Sequence, residues 1–202
     1  MLISLHPKNP DPRKVKQVLD ILLKGGVIIY PTDTVYGMGC SIQHPEAIEK
    51  ICRIKGIDPQ KVNLSFLCNN LSHLSDYTKA ISTPLYRFLK QYVPGPYTFI
   101  LEANKNVPKL LRTRKDTVGI RVPDNPVSHA LLQALGHPIL STSLPLDHDE
   151  SILCDPEEIE ERFSHLVDGI VDGGYGGSIP STIVDCTGPE PILIREGLGP
   201  IE

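Results

Sequence analysis

The feature that most constrains the fold is an alternation of short apolar runs with segments that begin at proline. In five dipeptides a polar residue precedes a proline, which suits the first position of a helix, while the preceding side chain can cap free amides. These dipeptides are Asp11-Pro12, His44-Pro45, Thr83-Pro84, Asn125-Pro126 and Asp155-Pro156. A helix is predicted after each of them. The first should end at Gly25-Gly26 and the fourth at Gly136, and Glu158 stands at a capping-box distance from Asp155.

Nine short runs between these segments are rich in apolar and β-branched residues, which is typical of strands. They are Leu2–Leu5, Val27–Tyr30, Ser65–Cys68, Tyr97–Ala103, Val118–Val122, Ile139–Ser143, Leu166–Val171, Thr182–Cys186 and Ile192–Arg195. Strands that alternate with helices indicate an α/β fold with a mostly buried, mixed sheet. No repeat, low-complexity tract or linker interrupts residues 1–202, so a single domain is predicted.

Composition narrows the class of protein. The 202 residues are 40% hydrophobic and 22% charged, as in an ordinary globular protein, and the net charge of −4 excludes a global basic field for nucleic acid. Five dispersed cysteines without a CxxC pair indicate reduced thiols in a cytosolic protein. No apolar run reaches membrane-spanning length and the first residues do not resemble a signal peptide, so we expect a cytoplasmic protein without a membrane partner.

One stretch, Gly25–Cys40, combines a buried strand with a polar tip. Its apolar run breaks at Pro31 into Thr32, Asp33, Thr34 and Tyr36, and two glycines follow. Hydroxyl groups beside glycines, at the end of a strand, suit the capture of a small polar substrate. The alternative is a strand, a turn and a second strand in which the threonines only satisfy backbone groups.

Polar side chains recur at the ends of other predicted strands. Arg121 closes one strand, Ser141-Thr142-Ser143 close another, Ser181-Thr182 open a third and Arg195 ends the last. Because ligands of open α/β sheets bind at strand ends, the set of groups favours convergence on one cleft, although each of them taken alone is better explained by a structural role. Two arginines with several hydroxyls suit a carboxylate or phosphate ligand.

Several motifs for covalent or metal chemistry are missing. The chain has no GxxxxGK[ST] phosphate loop, no HExxH and no GxSxG, so covalent catalysis has no support. The acidic run from Asp147 to Glu150 is interpreted as a solvated loop rather than a metal site. The glycine-rich run from Asp172 to Gly177 is predicted to be a mobile loop.

A local basic segment stands out in this acidic chain. It contains Lys105, Lys109, Arg112, Arg114 and Lys115 within eleven residues. The segment is either an RNA-backbone contact or a solvated helix and loop.

Taken together, the motifs resemble those of the YrdC/YciO family, the superfamily of threonylcarbamoyl-AMP synthases. The matching segments follow the family's order and span nearly the whole chain: GGVIIYPTDTVYGMG (25–39), Lys55, PGPYTFIL (94–101), VGIRVPDNP (118–126), ILSTS (139–143), DGG (172–174), STIVD (181–185) and LIREG (193–197). The resemblance implies a twisted, mixed open sheet with helices packed on it and a concave basic cavity. It also implies synthesis of threonylcarbamoyl-adenylate from L-threonine, bicarbonate and ATP with Mg²⁺, for the threonylcarbamoyladenosine modification of tRNA.

The resemblance also implies a role for individual positions. Thr34 and Ser181 would hold the polar groups of threonine, Arg121 would pair with its carboxylate, and Thr32 and Tyr36 would shape that pocket. The residues expected to face the adenylate and the phosphates are Lys55, Thr98, Ser141, Ser143 and Arg195.

Two departures from the family pattern lie at the phosphate end and resemble the YciO branch. The KxR motif reads Lys55-Gly56-Ile57, and the SxN motif reads Ser143-Leu144-Pro145. Three hypotheses follow: a synthase with weak or altered activity, a double-stranded RNA-, tRNA- or ribosome-binding factor without turnover, and a protein that senses a nucleotide or an amino acid.

Overall fold

A computed structural model describes residues 1–44, 46–58, 64–107, 116–145 and 152–201. Ten strands lie within these ranges: β1 (Leu2–Ser4), β2 (Ile28–Tyr30), β3 (Gly37–Ser41), β4 (Ser65–Leu67), β5 (Tyr97–Glu102), β6 (Thr117–Arg121), β7 (Ile139–Ser143), β8 (Gly169–Asp172), β9 (Thr182–Asp185) and β10 (Ile192–Arg195). Six α-helices accompany them: α1 (Pro12–Leu23), α2 (Glu46–Lys55), α3 (Leu74–Tyr77), α4 (Thr83–Tyr92), α5 (Pro126–Leu135) and α6 (Pro156–Phe163). No helix in these ranges is long and apolar enough to cross a membrane.

The predicted helix starts are confirmed at three prolines, each preceded by a capping side chain. Oδ1 of Asp11 accepts a hydrogen bond from Arg13 N, and Asn125 Oδ1 accepts one from Ser128 N. Asp155 Oδ1 accepts from the amide of Glu157, one residue earlier than the predicted capping box requires, so that detail was wrong.

At Thr83-Pro84 the prediction was wrong by one residue, because Ser82 caps α4 through Leu85 N and the helix begins at Thr83. The helix predicted after His44-Pro45 begins at Glu46, and Pro45 lies outside the described residues.

All ten strands form one twisted, mixed sheet in the order β1-β8-β2-β3-β7-β4-β6-β5-β9-β10. Parallel pairs join β1 with β8, β2 with β8, β4 with β6, and β5 with β9, and the other five pairs are antiparallel. The α/β prediction with a mixed sheet is therefore confirmed.

Two predictions about strands were wrong. The tenth strand, β3, is missing from the nine predicted runs because GMGCS has no apolar periodicity. It pairs with β7 over its whole length and with β2 over Gly37, Met38 and Gly39. The start of the predicted run Leu166–Val171 is a turn instead, because the amides of Leu166 and Val167 both donate to Phe163 O at the end of α6.

The sheet is covered unequally on its two faces. The larger core lies under α2, α4 and α6 and includes Phe66, Phe99 and Leu140 from alternate strand positions. The smaller core lies under α1 and α5 and includes Tyr30, Leu67 and Ile139 from the opposite face. Helices α1 and α5 extend over only part of this second face, and the face continues beyond them as an open cleft.

Candidate functional site

The open cleft lies on the sheet face that α1 and α5 leave uncovered. It encloses about 620 Å³ of space, part of which is open to solvent. The polar residues that line it are Thr32, Tyr36, Ser65, Thr98, Arg121, Ser141, Thr142, Ser143, Ser181 and Arg195. Alternation along the strands explains the lining, since Ser65 and Leu67 of β4, and Ser141 and Ser143 of β7, point to the same side of the sheet.

At one end of the cleft, Arg121 is held by the tip that follows β2. Its Nη2 donates to Asp33 Oδ1 at 2.5 Å and to the hydroxyls of Thr34 at 2.6 Å and Thr32 at 3.2 Å. The Thr32 hydroxyl in turn donates to Val35 O at 2.7 Å, which fixes the tip. The side chains of Arg121 and Asp33 are only 11% and 8% exposed, so this is a buried ion pair. We call this group the Arg121 end.

Two polar atoms at the Arg121 end lack a partner. Arg121 Nε and Asp33 Oδ2 are both buried and make no hydrogen bond within the described part of the chain. Buried polar atoms are nearly always paired in native proteins. Both atoms are shielded from the cleft, so a ligand could reach them only after a local rearrangement of the Arg121 end.

At the other end, Arg195 of β10 reaches back over β9. Its Nη2 donates to Ser181 O at 2.6 Å, and the Ser181 hydroxyl lies 2.9 Å from the Thr98 hydroxyl. Partial burial lowers the pKa of Arg195 from its ordinary value, and the positive charge of Arg121 lowers it further. The two arginines therefore affect each other electrostatically across the cleft. We call Arg195 with Ser181 and Thr98 the Arg195 end.

One wall of the cleft consists of hydroxyls from β7. The fully buried Tyr30 donates its O–H to Ser141 Oγ at 2.7 Å, which orients that hydroxyl. Lys55, at the end of α2, donates from Nζ to Ser143 O at 2.6 Å. Partial burial lowers the pKa of Lys55 from its ordinary value. The wall thus holds two hydroxyls, and a third cation, Lys55, is bonded to its backbone.

The glycine-rich loop after β8 is bonded to the cleft wall at two points, and the mobility predicted for it stays a prediction. The O–H of Tyr36 donates to Gly174 O at 2.7 Å, and burial raises the pKa of Tyr36 to about 12. The amide of Gly177 donates to Thr34 O at 2.8 Å. A Cβ at position 177 would overlap the Thr34 carbonyl group, so glycine allows this close approach.

Eight of the ten predicted ligand-binding residues line the cleft. The other two lie just behind it: Thr34 is buried and contacts Arg121, and Lys55 contacts the backbone of Ser143. The ligand roles of all ten remain predictions. Sequence reasoning assigned no role to Asp33, Ser65 or Tyr30. The alternation of Ser65 and Leu67 in a short strand was a usable signal for Ser65, whereas nothing local indicated the partners of Asp33 and Tyr30.

The two departures from the family pattern, Ile57 and Pro145, lie near Lys55 and Ser143. Ile57 is partly buried and packs on the larger core, and together with Arg53 it lines a separate surface groove. Arg53 is exposed there and is not among the described residues that line the cleft, so it does not replace the missing arginine. Leu144 is buried and Pro145 is half-buried beside Ser143.

Some predicted features fall outside the described residues. These are the acidic run from Asp147 to Glu150 and four members of the basic segment, Lys109, Arg112, Arg114 and Lys115. The fifth member, Lys105, is exposed. RNA binding by this segment stays a prediction. Within the described residues, no three histidine, cysteine, aspartate or glutamate side chains come together as metal ligands would.

Comparison with known proteins finds a matching family model and two similar relatives. Residues 20–197 match the Sua5/YciO/YrdC family model, whose description is telomere recombination. The protein YciO of Escherichia coli is 46% identical over 199 residues, which is 98% of this chain and 96% of that protein. A Haemophilus influenzae protein is 47% identical over 197 residues, covering 96% of this chain and 94% of that protein.

Two solved structures resemble the fold described above. The crystal structure of E. coli YciO has a TM-score of 0.92 at 44% identity and covers 99% of this chain and 97% of that one. P. abyssi Sua5, complexed with L-threonine, has a TM-score of 0.88 at 25% identity. That match covers 98% of this chain but 57% of the Sua5 chain, so Sua5 is the longer protein.

Proposed function

The chain belongs to the Sua5/YciO/YrdC family, and from this membership and the lining of the cleft we propose that it binds an α-amino acid together with ATP. The reaction would be the synthesis of threonylcarbamoyl-adenylate from L-threonine, bicarbonate and ATP, or a close variant of it. The observation that carries the proposal is the unequal charge of the two ends of the cleft.

The Arg121 end is nearly neutral, because Asp33 balances the guanidinium at 2.5 Å. A free amino acid is a zwitterion, so a buried site for it should hold both signs of charge. The side of Arg121 that faces the cleft can pair with a carboxylate, and the nearby hydroxyls can accept from an amine or a side-chain hydroxyl. L-threonine in the related Sua5 structure is the model for this ligand.

Two other cations of the site, Arg195 and Lys55, carry positive charge that no described carboxylate balances. Within the described residues, neither Arg195 nor Lys55 contacts a carboxylate, and each donates to a backbone carbonyl. Hydroxyls of Ser141, Ser143 and Thr98 surround them. Cations with several hydroxyl donors suit the phosphates of a nucleotide.

Magnesium fits this cleft only as part of the nucleotide. Mg²⁺ prefers carboxylate oxygens and phosphates, and the described lining residues include no carboxylate. The carboxylate of Asp33 is already paired with Arg121 behind the lining. The ion would therefore be held by the phosphates of ATP, where it neutralises their charge.

In the proposed reaction bicarbonate takes up a proton and loses water to give CO₂. The amine of threonine loses a proton to solvent, forms a C–N bond with the CO₂ and releases a second proton. An oxygen of the resulting carbamate then attacks the α-phosphorus, and the bond from that phosphorus to the pyrophosphate oxygen breaks. The chain's contribution is positional and electrostatic: Arg121 and Thr32 orient the amino acid, and Arg195 and Lys55 stabilise the charge on the departing pyrophosphate. No protein nucleophile is required.

Because Ile57 and Pro145 stand where the family motifs have arginine and asparagine, we expect weaker binding of the phosphates. A hydrogen bond from arginine to a charged group contributes roughly 1.5–3 kcal/mol, so its loss lowers affinity or rate by about one to two orders of magnitude. We propose weak synthase activity or a changed substrate. Restoring the family residues with Ile57→Arg and Pro145→Asn should raise adenylate formation if the phosphate end limits turnover.

The test is adenylate and pyrophosphate formation from ATP, L-threonine, bicarbonate and Mg²⁺, followed by mass spectrometry. Arg195→Met should abolish formation, whereas Lys79→Met changes an exposed lysine in an ion pair outside the cleft and should not. Thermal shift with ATP and with L-threonine, separately and together, detects binding without turnover. Failure of wild-type protein and of the restored variant to bind either ligand would overturn the proposal.

A further inference from the structure

Strand β10 places Arg195 in the cleft, but the three apolar side chains of the strand bury little surface and so do little to hold it in position. Ile192, Leu193 and Ile194 are 59%, 50% and 57% exposed, and β10 lies at one edge of the sheet, where it pairs with β9. The register also shifts between Leu193 and Arg195. Because apolar burial contributes little here, something other than packing must fix the position of Arg195.

The four residues after Glu196, which we call the strap (197–200), are bonded to the neighbouring strands. Thr182 is fully buried, and its hydroxyl accepts from Gly197 N at 3.0 Å and donates to Gly199 O at 2.6 Å. The amide of Leu198 donates to Pro180 O at 2.8 Å. Tyr97 donates its O–H to Pro200 O, also at 2.8 Å.

The strap approaches the strands too closely to shift without breaking these bonds. A Cβ at Gly197 would overlap the backbone of Pro180 and Ser181. The carbonyl and hydroxyl of the same Ser181 accept from Arg195. The strap, which begins one residue after Glu196, is therefore held against the backbone of Pro180 and Ser181, next to the Ser181 groups that accept from Arg195.

We propose that Thr182 is a positioning residue that holds Arg195 at the nucleotide end of the cleft through the strap, with Tyr97 as a second anchor. The inference rests on the proposed function, since Arg195 is assigned there to the phosphates. Thr182 does not itself line the described cleft, so its effect on ligands would be indirect.

The first experiment needs no ligand. Trypsin can cut after Arg195 only when β10 and the strap open locally. Thr182→Val removes two hydrogen bonds while keeping the shape of the side chain, so release of the fragment 196–202 should accelerate roughly tenfold by mass spectrometry. Thr182→Ser, which keeps the hydroxyl, should restore the slow rate. Thr78→Val is the matched control, because its buried hydroxyl bonds to Leu74 O away from the cleft.

The second experiment separates the two ends of the cleft. Thr182→Val should weaken ATP binding about tenfold and L-threonine binding distinctly less, measured by calorimetry. Some loss for L-threonine is expected because Ser181, predicted to hold it, also accepts from Arg195. Tyr97→Phe, which removes only the bond to Pro200, should show a smaller effect of the same kind and serves if Thr182→Val does not fold.

The outcomes distinguish the two proposals. If Thr182→Val and Tyr97→Phe match Thr78→Val in tryptic cleavage and in ATP affinity, the positioning role is overturned. A uniform loss of affinity for both ligands would also overturn it, because that is a general loss of stability. If wild-type protein binds no nucleotide, the proposed function fails, and the trypsin result still decides whether Thr182 anchors the strap.

Discussion

The buried pair of Asp33 and Arg121 should couple stability to the Arg121 end of the cleft. Both side chains are about nine-tenths buried, and their charged atoms lie 2.5 Å apart. Removing one partner of a buried pair leaves the other charge uncompensated, which typically costs about 3–5 kcal/mol. We expect Arg121→Met to lower the free energy of unfolding by this amount, and Asp33→Asn by somewhat less, because asparagine retains an acceptor oxygen.

A double-mutant cycle isolates the pair itself. In Asp33→Asn/Arg121→Met no unpaired charge remains buried, so the double variant should be more stable than the sum of the single changes predicts, by about 2 kcal/mol or more. Urea unfolding followed by far-UV circular dichroism measures each corner of the cycle, and suits a chain without tryptophan.

The control cycle uses an exposed pair of the same charge type. Lys79 and Glu102 lie 3.4 Å apart with side chains 58% and 53% exposed, so Lys79→Met/Glu102→Gln should show at most about 1 kcal/mol of coupling. Additivity of the Asp33 and Arg121 variants within about 0.5 kcal/mol would mean that the two residues do not act as a buried pair. The Arg121 end would then not be a charge-balanced amino-acid site.

Three further predictions concern the wall, the loop and the cysteines. Tyr30→Phe removes the hydrogen bond that orients Ser141, so ATP affinity should fall several-fold while L-threonine affinity stays constant in calorimetry; equal losses would contradict this. Gly177→Ala should lower the midpoint of thermal unfolding by several degrees, because its Cβ meets Thr34 O, whereas Gly188→Ala, with open space around it, should not. At pH 8 in the native state, iodoacetamide should modify the half-buried Cys154 first. Burial raises the pKa to about 12 for three of the other thiols, which leaves roughly one in ten thousand ionised at that pH: Cys40, Cys68 and Cys186.

Local chemistry was enough to predict most of the elements. Proline with a capping residue located α1, α5 and α6, and apolar runs located nine strands. Strand β3 could not be found in this way, because its residues are strand-forming only through pairing with β2 and β7. Strand propensity depends on such neighbours, which a single sequence does not display.

Within the site, residue types were easier to predict than their partners. Hydroxyls and arginines near strand ends correctly indicated a common cleft, although the cleft extends over a sheet face as well as along strand ends. The ion pair of Asp33 with Arg121 joins residues 88 positions apart, and no spacing rule reports such a contact. The anchors of the glycine-rich loop on Tyr36 and Thr34 could not be predicted for the same reason, since they are remote in sequence.

The order of strands in the sheet also has a consequence for how the molecule folds. Neighbours in the cleft are distant along the chain: Thr98 and Ser181 are 83 residues apart, and Thr32 and Arg121 are 89 apart. These residues can make contact only after long stretches of chain have closed into loops. The entropy lost in loop closure makes folding slow. The cleft is thus a late product of folding, and no continuous fragment that stops short of β10 would contain it.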